Sequence, residues 1–390
     1  MPTENASRRP RPADRRAQLV NHASTLFADR GYPAVALADI ARAAGVTAPA
    51  LYRHFADKQS ILAAAVLAGV DELEACTARA LTAPAGIDEL IASVSALGVR
   101  RPAAVSLWRS ASRHLTPEQN REVILRTREV VHRWADVVAA TTQASPRDSV
   151  EICWAVLSVI GSLGVHHSRL SAARAAAELE ILVHRLIALR PASAPGLAAV
   201  PPAFAGTTTR RDEILDAAAA LFAERGYTGV GVDDIGAAVG ITGPSVYKHF
   251  SSKLAILIGI GQRGAARLEA GAVAAHAVVG PDPARLLALL VDSYVAEISS
   301  TPDLSVGFTN SYACAGQPSA VGLLDAQRRY VARWIDLEGQ LHPGLRRAQA
   351  AVAVHAALSV VNDAVRVRRG THRADFPATM AYLMKGILGA

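Results

Sequence analysis

Sulfur and aromatic rings are scarce in this chain. Its three cysteines, Cys76, Cys153 and Cys314, are scattered and odd in number, so no disulfide framework and no zinc-ligand spacing follows from them. Each lies in an apolar, helix-like stretch and reads as a small buried hydrophobe. Aromatic residues make up 5% of a sequence that is 51% apolar; with Ala, Leu and Val supplying that bulk, helices are favoured over sheets. No stretch keeps the two-residue alternation of a half-buried strand. The apolar runs Ile152–Val165 and Ala350–Val361 are interrupted by Ser, Gly or His and are too short to span a bilayer. The opening MPTENASRRPRPADRR is hydrophilic and lacks the apolar region of a secretory signal. A cytoplasmic protein with no membrane partner is expected.

Catalytic signatures are missing as well. GxxxxGK[ST], GxSxG, HExxH and CxxC do not occur. Gly259-Ile-Gly-Gln-Arg-Gly264 spells GxGxxG, but it falls within a helical pattern, whereas a dinucleotide fingerprint needs a strand, a turn and then a helix. His132 and His166-His167 have no third ligand placed by sequence, so no metal is expected. The chain reads as a non-enzyme with no cofactor.

What is present is a repeat. Arg16–Lys58 and Arg211–Lys253 align without a gap at an offset of 195, with nearly half their positions identical. That period is too long for a solenoid and suits a duplicated domain. A chain of 390 residues also exceeds what one hydrophobic core usually supports. Arg133-Trp134 is echoed by Arg333-Trp334, and Leu157–Ile160 by Leu358–Val361, so the duplication extends beyond the repeated head. The formal charge of +7 is compatible with a polyanionic partner.

Within the first copy, Leu19, Ala23, Leu26 and Phe27 share one helical face, and Gly31 follows Arg30 as a helix-ending glycine. A second helix is expected over Leu37–Ala44 and a third over Ala48–His54, with Gly45 making the turn between them and Thr47 as the cap. Leu51 and Phe55 must face inward, which leaves Pro49, Ala50, Arg53 and His54 towards the outside. A long fourth helix starts near Lys58. The second copy repeats the plan through Gly226, Ile235, Gly240, Thr242, Val246 and Phe250. Ala36 and Gly231 stand where a hydroxyl or carboxamide would best cap the second helix, but Asp39 and Asp234 three residues on still favour its dipole.

A helix–turn–helix sets its second helix in a DNA major groove. The string Thr-x-Pro-x-[LV]-Tyr-[RK]-His-Phe-x-x-Lys occurs twice with a basic residue in one slot, Arg53 or Lys248. Either can bond a guanine edge or a phosphate, while Ala50 and Ser245 are small enough to lie beside the groove floor. The heads strongly resemble the DNA-binding head of the TetR family of bacterial transcriptional regulators, through Leu26-Phe27, Arg30-Gly31-Tyr32, Asp39-Ile40-Ala41, Ala44–Thr47, Leu51–Phe55 and Lys58. The resemblance implies backbone contacts from Thr47, Tyr52, His54 and Lys58 and base-edge contacts from Pro49, Ala50 and Arg53. In the second head the corresponding residues are Thr242, Tyr247, His249 and Lys253, with Pro244, Ser245 and Lys248 at base edges.

The expected organisation is all-α, with two tandem units. A disordered basic arm (1–12, with Arg8, Arg9 and Arg11) precedes head one (13–60) and a helical ligand-binding and dimerisation domain (61–190). A proline-rich linker (191–207) leads to head two (208–255) and a second helical domain (256–390). The last two helices of each half, about 149–189 and 346–389, are expected to pair as a four-helix bundle, making the chain its own pseudo-dimer on an imperfect palindromic operator in double-stranded DNA. The competing arrangement, in which each half pairs with another chain, gives a homodimer with four heads. By resemblance, the function is a repressor released by a small apolar effector. Trp108, Trp134 and Trp154 are candidate pocket residues in the first half, and Phe308, Tyr312 and Trp334 in the second. The alternatives are an architectural DNA-binding protein without an effector, which would need no cavity, and a helical enzyme.

Overall fold

The computed structural model of the protein describes residues 12–84, 86–112, 114–164, 166, 168–198, 208–314 and 316–390. Residues 1–11 of the expected arm, with Arg8, Arg9 and Arg11, lie outside the described residues, as do His167 and residues 199–207 of the linker, while Pro12 already opens the first helix. All regular structure among the described residues is helical.

The first half runs α1 (Pro12–Arg30), α2 (Leu37–Ala43), α3 (Ala48–Tyr52), α4 (Lys58–Leu81) and α5 (Ile87–Arg100). It continues with α6 (Pro102–Ala111), α7 (Pro117–Thr142), α8 (Pro146–Ile160) and α9 (Ala172–Ile187). The second half repeats this order with α10 (Arg210–Arg225), α11 (Val232–Ala238), α12 (Gly243–Val246), α13 (Lys253–Val279) and α14 (Pro283–Ser300). Two short helices, α15 (Asp303–Thr309) and α16 (Ser311–Cys314), take the place of α6. The chain ends with α17 (Val321–Leu341), α18 (Arg347–Arg366) and α19 (Phe376–Leu388).

Each head closes on its own core. Leu19, Ala23 and Phe27 of α1 meet Ile40, Leu51, Phe55 and Ile61, and α10 repeats this with Ile214, Ala218, Phe222, Ile235, Val246, Phe250 and Ile256. The bodies do not keep separate cores. One continuous cluster holds Trp134, Ile152, Val159 and Leu182 of the first half together with Trp334, Val354, Val361 and Leu383 of the second. At its centre α8 and α9 pack on α18 and α19, the geometry of a helix bundle. This explains why α18 is apolar nearly all round. Among the described residues it is the single helix long and apolar enough to cross a membrane, but 72% of that apolar window is buried inside the protein.

Ion pairs and polar bonds stitch the halves along this seam. Arg109 of α6 bonds Asp363 of α18 at 2.6 Å and donates to the carbonyls of Ser158 and Gly161. Glu151 accepts from Arg369 and Arg373, Gln349 donates to Glu178 at 2.9 Å, and Arg185 donates to the Ile387 carbonyl at 2.7 Å. The partners are unlike in the two halves: Val352 stands at the duplicate position of Glu151, and Ser162 at that of Asp363. The seam is therefore complementary between first and second half rather than self-complementary.

The expected linker opens on a 3-10 turn, Pro191–Ser193, with Pro191 buried. Asp148 ties that turn down by accepting from the Ala192 amide at 2.6 Å. The third helix of each head is shorter than the expected Ala48–His54, since Arg53 and His54 already lie in a turn after Tyr52.

Candidate nucleic-acid interface

The turn of the first head is built by Gly45 at φ +65°, which lets the Val46 amide reach back to the Ala41 carbonyl at 2.9 Å. Gly240 at φ +71° does the same for Ile241 and Gly236; a left-handed residue is needed here and glycine takes it without Cβ strain. Asp39 and Asp234 accept from the backbone amides of Ala36 and Gly231 at 3.0 and 2.6 Å. They supply the reciprocal half of a capping box, which compensates for N-cap residues with no polar side chain.

With Leu51 and Phe55 inward, the opposite face of α3 is turned out. Thr47, Pro49, Tyr52 and Arg53 are exposed, and Ala50, His54 and Lys58 are half-buried. The second head gives the same pattern position by position: Thr242, Pro244, Tyr247 and Lys248 exposed, Ser245, His249 and Lys253 half-buried. Tyr52 and Tyr247 are more than half exposed, at 55% and 54%, unusual for rings that could have joined the adjoining core. Thr47 and Thr242 occupy the N-cap positions, yet neither hydroxyl caps its helix. That of Thr242 instead pairs with the Ser245 hydroxyl at 2.9 Å.

Lys58 and Lys253 sit at the first turns of α4 and α13, but their ammonium groups do not splay outward. Each lies 4.4 Å from the ring centre of Tyr32 or Tyr227, and Lys58 donates to the Pro33 carbonyl at 3.3 Å. Burial lowers the pKa of both. Such a cation–π seat holds the charge at a fixed point while leaving donors free.

The sequence reading missed two features of this surface. Arg16 and Arg211 stack over Phe55 and Phe250, 4.8 and 4.0 Å from the ring centres, and Arg211 donates to the His249 carbonyl at 2.6 Å. They pin the end of each third helix from the start of the first, and their conserved offset of 195 was the available signal. The heads also differ at the start of that helix. A Cβ on Gly243 would fall 1.8 Å from the Asp233 carboxylate, so glycine there accommodates an acid that the first head lacks, with Ala38 and Ala48 in those places.

The expected pocket residues are not gathered into one pocket per half. Trp134 and Trp334 are fully packed core, 2% and 0% exposed, and the Trp134 indole donates to Thr77 at 3.0 Å. Trp154 is half-buried with Arg369 over its ring. Phe308 and Tyr312 line an open cleft between the halves rather than an enclosed site. Trp108 alone of the six borders a small cavity, of about 70 Å³. His166 stacks on His355 at 3.9 Å across the seam, and no cluster of three or more metal-ligating side chains occurs among the described residues.

The profile of bacterial regulatory proteins of the tetR family matches residues 19–65 and 214–260, the two heads just described. The chain carries two heads of the tetR family in tandem. The TetR-family relatives it resembles include the HTH-type transcriptional activator FasR of Mycolicibacterium smegmatis, 43% identical over 68 residues, or 17% of this chain and 31% of FasR. The HTH-type transcriptional repressor KstR2 of Rhodococcus jostii is 31% identical over 121 residues, 28% of this chain and 59% of that repressor. The matched stretches thus span less than two thirds of either TetR-family relative. Among solved TetR-family structures, the ketosteroid transcriptional regulator KstR2 of Mycobacterium tuberculosis has a TM-score of 0.42 at 23% identity, covering 49% of this chain and 97% of that one.

Proposed function

We propose that this protein is a sequence-specific DNA-binding transcription regulator, a repressor, in which one polypeptide supplies both heads for an imperfect inverted repeat. The observation that carries the reading is the duplicated outward face: Thr47, Pro49, Ala50, Tyr52, Arg53, His54 and Lys58 have the same exposures as Thr242, Pro244, Ser245, Tyr247, Lys248, His249 and Lys253. The shared body core supports a pseudo-dimer, because it joins the two heads through one packed unit rather than through a tether. On duplex DNA, heads acting together must meet major grooves about 34–36 Å apart. Repression is favoured by the match to the repressor KstR2, which spans 121 residues against 68 for the activator FasR.

A small apolar effector fits the same reading. The helix α6 packs on α1 of the first head, on α4 and on the turn after α8, so a molecule lodged beside α6 biases the position of that head. An architectural protein would have no use for such a cavity.

The test is a binding titration of the full chain against the DNA flanking its own gene, with scrambled DNA as competitor. Specific binding is expected to be about 10³-fold or more tighter than non-specific binding. Equal affinity for both would overturn the reading. A promoter fusion then reads the sign, with derepression on deletion expected.

A further inference from the structure

We propose that the chain binds one small ligand and binds it in the first half only, the matching space in the second half being filled by the protein's own tyrosines. This rests on the regulator reading for its purpose, but not for its test. The cavity of about 70 Å³ lies among α4, α5, α6, α7 and α8, walled by Val66, Val70, Leu97, Trp108 and Leu157. Of the polar side chains that border it, Glu72 is paired with Arg101 and Arg109 with Asp363, which leaves Thr127. Thr127 is 2% exposed, and its hydroxyl has no hydrogen-bond partner, a state that buried hydroxyls rarely keep unless something else satisfies them. The chemistry asks for a small, mainly apolar molecule carrying a single hydrogen-bonding oxygen.

The second half answers the same space differently. The buried positions of α5, Leu90, Ile91, Val94, Ser95 and Gly98, recur in α14 as Leu286, Leu287, Leu290, Val291 and Tyr294. Along α7 and α17, Val123, Val130 and Trp134 recur as Leu323, Tyr330 and Trp334. Gly98, which borders the cavity, and Val130, which lies outside its lining, give way in the second half to two tyrosines. Their rings stand 5.9 and 6.0 Å from Trp334 and 6.5 Å from each other, all three at most 5% exposed. The Tyr294 hydroxyl donates to Asn362 at 2.9 Å. These side chains act as a permanent occupant.

The cavity is also placed to be felt. Arg109 and Gly161 border it, and Arg109 is the residue that grips Asp363 across the seam. Gly69 and Gly161 let α6 approach closely, their would-be Cβ atoms lying 3.3 Å from Ala104 and 2.6 Å from Val105. A ligand larger than this space, which is roughly half the ~150 Å³ that holds a benzene ring, must shift α6. The first head is thus the switched one and the second the fixed one.

Xenon-pressurised crystals of the full chain, without DNA, test the asymmetry. One xenon beside Trp108 and Thr127 is expected, and none beside Tyr294. The double variant Tyr294→Gly/Tyr330→Val should gain a second site. Calorimetry with phenol should give one molecule per chain. Thr127→Val, which keeps the volume, should weaken phenol binding about tenfold while leaving xenon in place. Xenon in both halves of the unmodified protein, or in neither, overturns the proposal, as does phenol binding that Thr127→Val leaves unchanged. Because no arm involves DNA, a failed DNA titration would leave this result standing, and the reverse holds too.

Discussion

At the scale of single residues, the most consequential charges are those the fold has buried between its halves. Burial disfavours the Asp363 carboxylate, but Arg109 and Arg366 outweigh that cost and hold its pKa below the usual aspartate range. Removing one member of such a pair strands the other: Asp363→Asn should cost about 3–5 kcal/mol at neutral pH, read as a fall in denaturation midpoint. A carboxyl with a lowered folded pKa stabilises above its unfolded pKa and loses that contribution as pH falls through the folded value. The gap between the variant and the parent should therefore narrow below about pH 4. Glu338 behaves in the opposite sense. It is completely buried with neither oxygen hydrogen-bonded, and burial pushes it up to about 7, Arg185 opposing the shift and Glu178 adding to it. Between the unfolded value, about 4.5, and about 7 the folded state keeps a proton that the unfolded chain has lost, so stability drops as pH rises, by about 3 kcal/mol. Glu338→Gln should abolish that slope, leaving the variant more stable than its parent at pH 8 and equal to it at pH 4. A variant less stable at pH 8 would mean that the His342 ring, whose nitrogen lies 3.8 Å from one Glu338 oxygen, supports the carboxylate there.

At the scale of the element, the third helix of each head carries the functional reading, and its residues make separable predictions. Arg53→Ala should relax the preference at one base pair by about 1–3 kcal/mol. Lys58→Ala should weaken binding to every sequence alike and lower the salt slope by about one. If neither moved the DNA titration, α3 would not be the reading helix. Much of this was legible without coordinates. Inward Leu51 and Phe55 dictate the outward set, and the start of α4 at Lys58 follows from the pattern. The third helix was overextended because its i,i+4 apolar pair, Leu51 and Phe55, also satisfies a turn. The chain after Tyr52 takes that turn, with the Phe55 amide still bonded to the Leu51 carbonyl. The cation–π seats of Lys58 and Lys253 join residues 26 apart, beyond any local periodicity. The pocket was least legible. Trp134 and Trp108 are alike as sequence, and only packing separates a ring locked on Thr77 from one bordering a void.

At the scale of the whole molecule, the issue is whether one chain does the work for which single-headed proteins need two. The seam favours this physically: its charges are paired first half to second half, and a second copy of either half would set Glu151 against a surface without Arg369 and Arg373. A buried carboxylate without its cations is costly, so exchange between chains is disfavoured. The halves also start joined, at an effective concentration that a free partner at cellular levels does not match. Sedimentation of the free protein should therefore give one species near 40.9 kDa, unchanged on dilution. Titration on a two-half-site duplex should end at one chain per duplex, with a simple hyperbolic isotherm. Moving the half-sites apart by about 5 base pairs puts them on opposite faces of the duplex. Affinity should then fall to that of a single half-site, and because the bodies share one core the heads cannot follow the change. A species of twice the mass, or two chains per duplex, would instead assign each half a partner in another copy, and the complementary charges of the seam would need a different explanation.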